Sequence, residues 1–250
     1  MEISAMTRPS ILRGGVATGA LAAALLCLSP AAQAQSLAVN PINVLMAPGQ
    51  MATLLTVINQ GQAETAVQIR AFVWSQKDGI DVLTPSDDVV ASPPLTRIVP
   101  GGTQIVRLVL RKPVIGREAT YRILLDQIPA AAEAGVVRVA LRMSLPVFAQ
   151  PTTRVAPKVS FHIERDATGS YLVALNDGAH HDAIRDLTLS TANGTALKLE
   201  DAQLPYILAG ATRRWHIAPD AALASATGPF MLTASTETGV LKRLPVAFRP

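Results

Sequence analysis

Val136-Val137-Arg138-Val139-Ala140-Leu141-Arg142-Met143-Ser144-Leu145-Pro146-Val147-Phe148 carries an apolar side chain at every odd position from 137 to 147. Arginine, alanine, serine and proline fill the even positions between. A strand has period two, so Val137, Val139, Leu141, Met143, Leu145 and Val147 stand in one row on one face. Ordinary strands run about five or six residues. The inner face of a sandwich strand is satisfied by three or four such side chains. The excess predicts a row that extends beyond the core of its own domain.

The segments on either side are short and strand-like, with turn signals at about ten-residue spacing. Before it come 37–46, closed by Ala47-Pro48-Gly49, and 51–59, closed by Gln60-Gly61-Gln62. In 65–76, Val67, Ile69, Ala71 and Val73 share one face while Gln68 and Arg70 share the other. Strands are expected again at 103–111 and 120–128, ended by Lys112-Pro113 and Pro129. After Phe148, Ala149-Gln150-Pro151-Thr152-Thr153 reads as a linker. A second series follows at 158–165, 170–176, 183–190, 213–217, 229–236 and 240–248. No long helical period competes. The expected architecture is all-β: two immunoglobulin-like β-sandwich domains in tandem, spanning 35–150 and 151–250.

The first 34 residues stand apart from that fold. Arg8 and Arg13 give a positive start, an apolar run extends from Gly14 to Leu28, and Ser29-Pro30 breaks it before Ala32-Gln33-Ala34. This is the pattern of a secretory signal cleaved after Ala34. The run of about 15 residues is shorter than the roughly 20 of a spanning helix. Leu26 before Cys27 is too large for lipoprotein processing. Cleavage removes two arginines and one glutamate, taking the net charge from +4 to +3, and it removes the chain's one cysteine. The exported protein is thus expected to have no disulfide and no thiolate chemistry.

Composition excludes several classes. Of 250 residues, 49% are hydrophobic and 16% charged, which is far too apolar for a disordered chain. No apolar span of about 20 residues lies in the body, so an integral membrane protein is excluded. The small basic excess has no Lys/Arg runs, so nucleic acid is not an expected partner. A search for chemistry returns no G-x-S-x-G elbow, phosphate-binding loop, H-E-x-x-H or G-x-G-x-x-G. His180-His181-Asp182 could hold a metal, but neighbours in a strand point to opposite faces. Following Asn176-Asp177-Gly178-Ala179, the run is expected to be a solvated hairpin turn. Asp87-Asp88 is expected to be an exposed turn. No catalytic residue, cofactor or metal site is predicted, and Trp74 and Trp215 are expected in the cores.

Taken in order, these stretches resemble the periplasmic pilus-assembly chaperones of the PapD type. The resemblance rests on Pro48-Gly49 with Thr56-Val57-Ile58-Asn59, and on Ser92-Pro93-Pro94 with Ile98-Val99-Pro100-Gly101 and 104–108. It continues in Tyr121-Arg122-Ile123-Leu124-Leu125-Asp126-Gln127-Ile128-Pro129 and, further on, in 204–210 with Arg213-Arg214-Trp215. It spans essentially all of residues 36–250.

The resemblance implies a non-enzymatic, periplasmic chaperone that completes an unfinished pilus or fimbrial subunit with its own strand and passes it to an outer-membrane usher. Val137, Val139, Leu141, Met143 and Leu145 are the expected donor row. An exposed apolar edge is a liability in an ordinary secreted protein, yet it is the working part of a β-augmentation device. Free molecules could cover the row by self-association. Usher contact is expected on the first domain, where Pro93-Pro94 stands.

In the best-known branch of this family, an arginine and a lysine clamp the subunit's terminal carboxylate between the domains. The corresponding positions here are Asn43 and Pro146, neither basic. This departure resembles the archaic, Csu-type branch. Arg122 is the candidate anchor, because Tyr121, Ile123 and Leu125 take the core face of its strand. Arg142 is a second candidate. The alternative is a structural or adhesive tandem sandwich of the cell surface, although such a protein is expected to bury or shorten so long an apolar edge.

Overall fold

The computed structural model describes residues 37–129, 135, 139–200, 205–219, 223 and 229–249. The expected signal peptide, and Val137 of the apolar row, lie outside the described residues. The first sandwich is built from ten strands: β1 (Leu37–Asn40), β2 (Val44–Met46), β3 (Ala52–Asn59), β4 (Thr65–Lys77), β5 (Ile80–Pro85), β6 (Val89–Ser92), β7 (Leu95–Ile98), β8 (Thr103–Leu110), β9 (Ala119–Ile128) and β10 (Arg142–Ala149). One sheet has the order β1-β3-β8-β6. The facing sheet has the order β2-β10-β9-β4-β5, with β7 on the flank of β4.

The segment expected as one strand over 37–46 is two. It breaks at Pro41, and β1 pairs with β3 in one sheet while β2 pairs in parallel with β10 in the other. Proline has no N–H to continue a ladder, and the break lets one segment close both sheets. Inside, Leu55, Val57, Val67, Ile69, Val106, Leu108, Ile123 and Leu125 are buried together with Leu145 and Val147. The predicted alternation of β4 holds, with Val67 and Ile69 buried and Ala71 and Val73 packed beside them.

The second sandwich comprises β11 (Val159–Asp166), β12 (Gly169–Asn176), β13 (Asp182–Ala183), β14 (Arg185–Ser190), β15 (Ala196–Leu197), β16 (Leu199–Glu200), β17 (Tyr206–Ile207), β18 (Thr212–Ile217), β19 (Phe230–Thr236) and β20 (Gly239–Val246). Its sheets run β11-β12-β18-β16 and β15-β14-β19-β20, with β13-β17 as a small separate pair. Ile163, Leu172, Leu189, Phe230 and Leu232 form its core, and Trp215 packs at the margin of that core.

Trp74 departs from expectation. It is buried, but on the outer face of its sheet, in a third apolar cluster with Phe148, Leu208 and Ala211. Phe148 ends β10, whereas Leu208 and Ala211 belong to the second sandwich. The cluster therefore joins the two sandwiches rather than filling either. Gln76 completes the seam: its amide donates to the Tyr206 carbonyl at 2.9 Å and accepts from the Leu208 N–H at 2.9 Å. One side chain thus satisfies two backbone groups that close packing would otherwise leave unpaired.

Candidate functional site

Strand β10 pairs antiparallel with β9 along its whole length, from Arg142 opposite Asp126 to Ala149 opposite Ala119. On its other side β2 covers only Val147–Ala149. Over Arg142–Pro146, no other described strand pairs with that side. The Gln127 N–H donates to the Leu141 carbonyl at 2.9 Å, so odd residues bond to β9 and even residues turn their backbone groups to the open edge. Arg142 and Ser144 offer an N–H and a C=O there. Pro146 sits at an even position, where its missing N–H costs no bond to β9.

The apolar row runs along this edge and climbs out of the core. Leu145 is 6% exposed and Val147 is fully buried. Met143 packs partly against the same cluster. Leu141 is 38% and Val139 85% exposed. The row is therefore divided: its C-terminal part belongs to the chain's own core and its N-terminal part faces outward. The strand starts at Arg142, later than the sequence predicted. Leu141 is still tied to Gln127, whose side-chain oxygen accepts from the Leu141 N–H at 3.3 Å.

Arg122 lies on β9 directly opposite Pro146 and opposite Phe72 of β4. Its side chain leaves the first core, as predicted, but it is no surface group. It is 3% exposed, and its guanidinium carbon sits 3.7 Å from the centre of the Trp74 ring. A desolvated stack of this kind contributes about 2 kcal/mol. Burial pushes the Arg122 pKa down, partly offset by the negative charge of Asp81 and by Tyr206. Its Nη2 is buried without a hydrogen-bond partner, an arrangement that leaves part of a cation's solvation unreplaced.

Arg142 stands elsewhere. It pairs with Asp126, which also accepts from Arg70 at 2.6 Å. Four residues of β10 separate Arg142 from Pro146, about 13 Å along the strand. The structure does not bring the two candidate arginines together, and the second already has a carboxylate. Asn43 is near the start of β2, with a buried side-chain oxygen that lacks a partner. Asp87 and Asp88 are exposed, as expected.

The histidine pair corrects the sequence reading. His180 and His181 are not a solvated turn: His181 is 1% exposed, and both rings lie against Glu118 of the first sandwich. His181 Nδ1 is 2.7 Å from Glu118 Oε2, and the His181 N–H donates to the same oxygen at 2.9 Å. The two imidazoles stack at 4.6 Å, and His181 stacks on Phe148 at 3.6 Å. The turn before them is closed by Asn176. Its oxygen accepts from Lys158 and Gly178, and its amide donates to the carbonyls of His180, Ile207 and Leu208. Asn176, Asp177 and Gly178 did mark a tight turn in sequence. Nothing local could show that a glutamate 63 residues away receives it.

Burial alone would push the His181 pKa down, but hydrogen bonds to Glu118 and Glu237 and their charges carry it up to about 9. A raised histidine stabilises the fold fully below its unfolded pKa of about 6.5, and that contribution is lost as pH rises through 9. The groups facing it are Glu118, Glu237 and His180, with Arg185 acting on Glu237. In chelator-containing buffer, thermal unfolding of wild type is expected to lose up to about 3 kcal/mol between pH 6.5 and 9 relative to His181→Gln. Parallel pH profiles for the two proteins would refute the assignment.

Comparison with known proteins gives one consistent pattern. Residues 36–154 match the family model of the pili and flagellar-assembly chaperone, PapD N-terminal domain. Among solved structures, a chain of the CsuC–CsuE chaperone–tip adhesion subunit pre-assembly complex of Acinetobacter baumannii is similar at 19% identity. That match has a TM-score of 0.65 and covers 86% of this chain and 100% of that one. The E. coli chaperone DraB is similar at 20% identity with a TM-score of 0.56, covering 86% and 97%. The Salmonella enterica SafA pilin–SafB chaperone complex is similar at 15% identity with a TM-score of 0.57, again covering 86% and 97%. No curated protein sequence matches the chain.

Proposed function

We propose, from the premise that residues 36–154 belong to the family of PapD-type pili and flagellar-assembly chaperone N-terminal domains, that this chain binds pilus subunits by lending them the open edge of β10. The observation that carries the reading is the half-paired strand: over Arg142–Pro146 one side is bonded to β9, and among the described residues no strand pairs with the other. Beside that edge an apolar row emerges from the core at Met143, Leu141 and Val139. An incoming strand finds the backbone groups of Arg142 and Ser144 for its ladder and apolar side chains for its pockets. Leu145 stays in the chain's own core and anchors the donor strand rather than entering the subunit. Val139, Leu141 and Met143 are the inserted residues among those described, with Val137 as their continuation.

Arg122 is the anchor for the subunit's terminal carboxylate in this reading. The guanidinium lies across from Pro146, so a cation is present next to the position where the best-known branch supplies lysine. Its unpartnered Nη2 supports the assignment, since a carboxylate would complete its hydrogen bonding. Arg142, held by Asp126, is left to fix the register of β10 on β9. Asn43 and Pro146 supply no charge, in keeping with the archaic, Csu-type pattern.

The chaperone works in the periplasm, needs no catalytic group, and delivers its subunits to an outer-membrane usher through the first sandwich. Its working parts are two domains, 35–150 and 151–250, joined across the Trp74–Gln76 seam. When free, the outward half of the apolar row is covered by a second copy, which concentration-dependent sedimentation would register. A cell-surface structural protein has no use for a donor edge left open. The test is co-expression of the exported chain with subunit genes encoded beside it, followed by purification of the complex. One-to-one retention of a subunit that is insoluble alone is the expected result; failure of every neighbour to bind overturns the reading.

A further inference from the structure

Three side chains at the seam, Glu118, His180 and His181, turn nitrogen and oxygen ligand atoms toward one another. His180 Nδ1 lies 2.7 Å from the His181 carbonyl oxygen. A carbonyl only accepts, so Nδ1 carries a hydrogen, which leaves Nε2 as the ring's metal-binding nitrogen. That Nε2 is 3.3 Å from Glu118 Oε1. The Glu118 side chain is completely buried, and Oε1 has no hydrogen-bond partner. A carboxylate oxygen buried without a hydrogen bond is unfavourable unless something positive stands beside it.

A metal ion fits that gap. With bonds of about 2.0–2.1 Å to each atom, a 3.3 Å separation sets the angle at the metal near 105–110°, close to tetrahedral. The third donor is His181 Nδ1, 2.7 Å from Glu118 Oε2. One ligand atom from each of Glu118, His180 and His181 lies within 4.8 Å of the others. Each imidazole also has the outer partner that metal-binding histidines use to fix ring orientation. His180 Nδ1 is held by the His181 carbonyl. His181 Nε2 faces Glu237 Oε1 at 3.4 Å.

We propose that Glu118, His180 and His181 form a binding site for a divalent transition-metal ion, with Zn2+ best suited to two imidazoles and a carboxylate, at the seam between the two sandwiches. Hard cations such as Ca2+ and Mg2+ prefer all-oxygen ligand sets and are excluded by the donor types. Binding displaces one proton, from His181 Nδ1, to solvent, and a water fills the remaining position. Because Glu118 comes from the first sandwich and both histidines from the second, the ion cross-links the two and stiffens the cleft beside Phe148 and Trp74. The site is independent of the open edge of β10, so its failure leaves the donor-strand reading untouched.

The exported chain, purified without a polyhistidine tag and stripped with chelator, is titrated with Zn2+ by calorimetry. It is also titrated with Co2+, whose visible absorption reports tetrahedral nitrogen–oxygen coordination. One ion per chain is expected, with a raised melting temperature and visible Co2+ bands. His180→Ala removes a half-buried ligand at little cost to folding, and it is expected to weaken binding at least about tenfold and abolish the bands. Glu118→Gln does the same where it folds. His162→Ala, at a histidine paired with Glu164 away from the cluster, leaves uptake unchanged. No uptake by wild type, or uptake by His180→Ala equal to wild type, overturns the proposal and leaves the cluster a proton-bridged ion pair.

Discussion

Leu141→Arg is expected to abolish recovery of a subunit that co-purifies with the wild-type chain. Leu141 is the last residue of the row tied to β9, through the backbone of Gln127, and it is only partly covered in the free chain. In the complex it enters an apolar pocket, where an unpaired guanidinium costs roughly 4 kcal/mol or more. That penalty weakens binding about a thousandfold. A single chain tolerates the change, because the new side chain can reach water, so at dilution the melting temperature should stay within about 2 °C of wild type. This separation of binding from folding is why Leu141 is chosen. The same substitution at Leu145 would place the charge in the chain's own core, and loss of the complex would then carry no information about the donor strand. Retention of the subunit by Leu141→Arg at wild-type levels removes the donor-strand mechanism.

Arg122→Ala is the second large effect. If Arg122 receives the terminal carboxylate, its loss strands that charge in a partly desolvated cleft. Affinity should fall by about 2–5 kcal/mol, roughly 30- to 5,000-fold. Removing the stack on Trp74 also costs the free chain stability, so binding alone is ambiguous. A subunit whose C-terminus is extended by several residues resolves it, because it no longer presents a carboxylate at Arg122. Wild type should bind this subunit about as weakly as Arg122→Ala does, and the two changes together should be no worse than either alone. Additive losses would show that Arg122 acts through the packing around Trp74, and the anchor would then lie elsewhere.

The apolar row was legible because its signal is local. Six apolar residues at strict two-residue spacing mark one face of a strand whatever surrounds it, and their number exceeds what one core can use. Only the pairing decides how that row is spent. β2 covers β10 up to Val147, Leu145 is drawn into the core, and the outward part of the row lies toward the N-terminal end, at Leu141 and Val139. The strand over 37–46 misled for a related reason: propensity extends through both halves, and the change of sheet at Pro41 is a property of two partners far away in sequence.

Arg122 shows the same division. Its neighbours Tyr121, Ile123 and Leu125 fix by alternation that it leaves the core, and this much needs no structure. That it is buried and stacked on Trp74 depends on the seam, which brings Trp74 and Gln76 against residues 206–211. The tandem all-β architecture, the long apolar row and the outward direction of Arg122 follow from the sequence alone, since each rests on side-chain periodicity and turn residues within a few positions. Which end of the row stays open, and that Glu118 meets His180 and His181, were decided only by the tertiary fold. Those features depend on strand order and on the docking of two sandwiches, and no local pattern encodes contacts between residues some sixty positions apart.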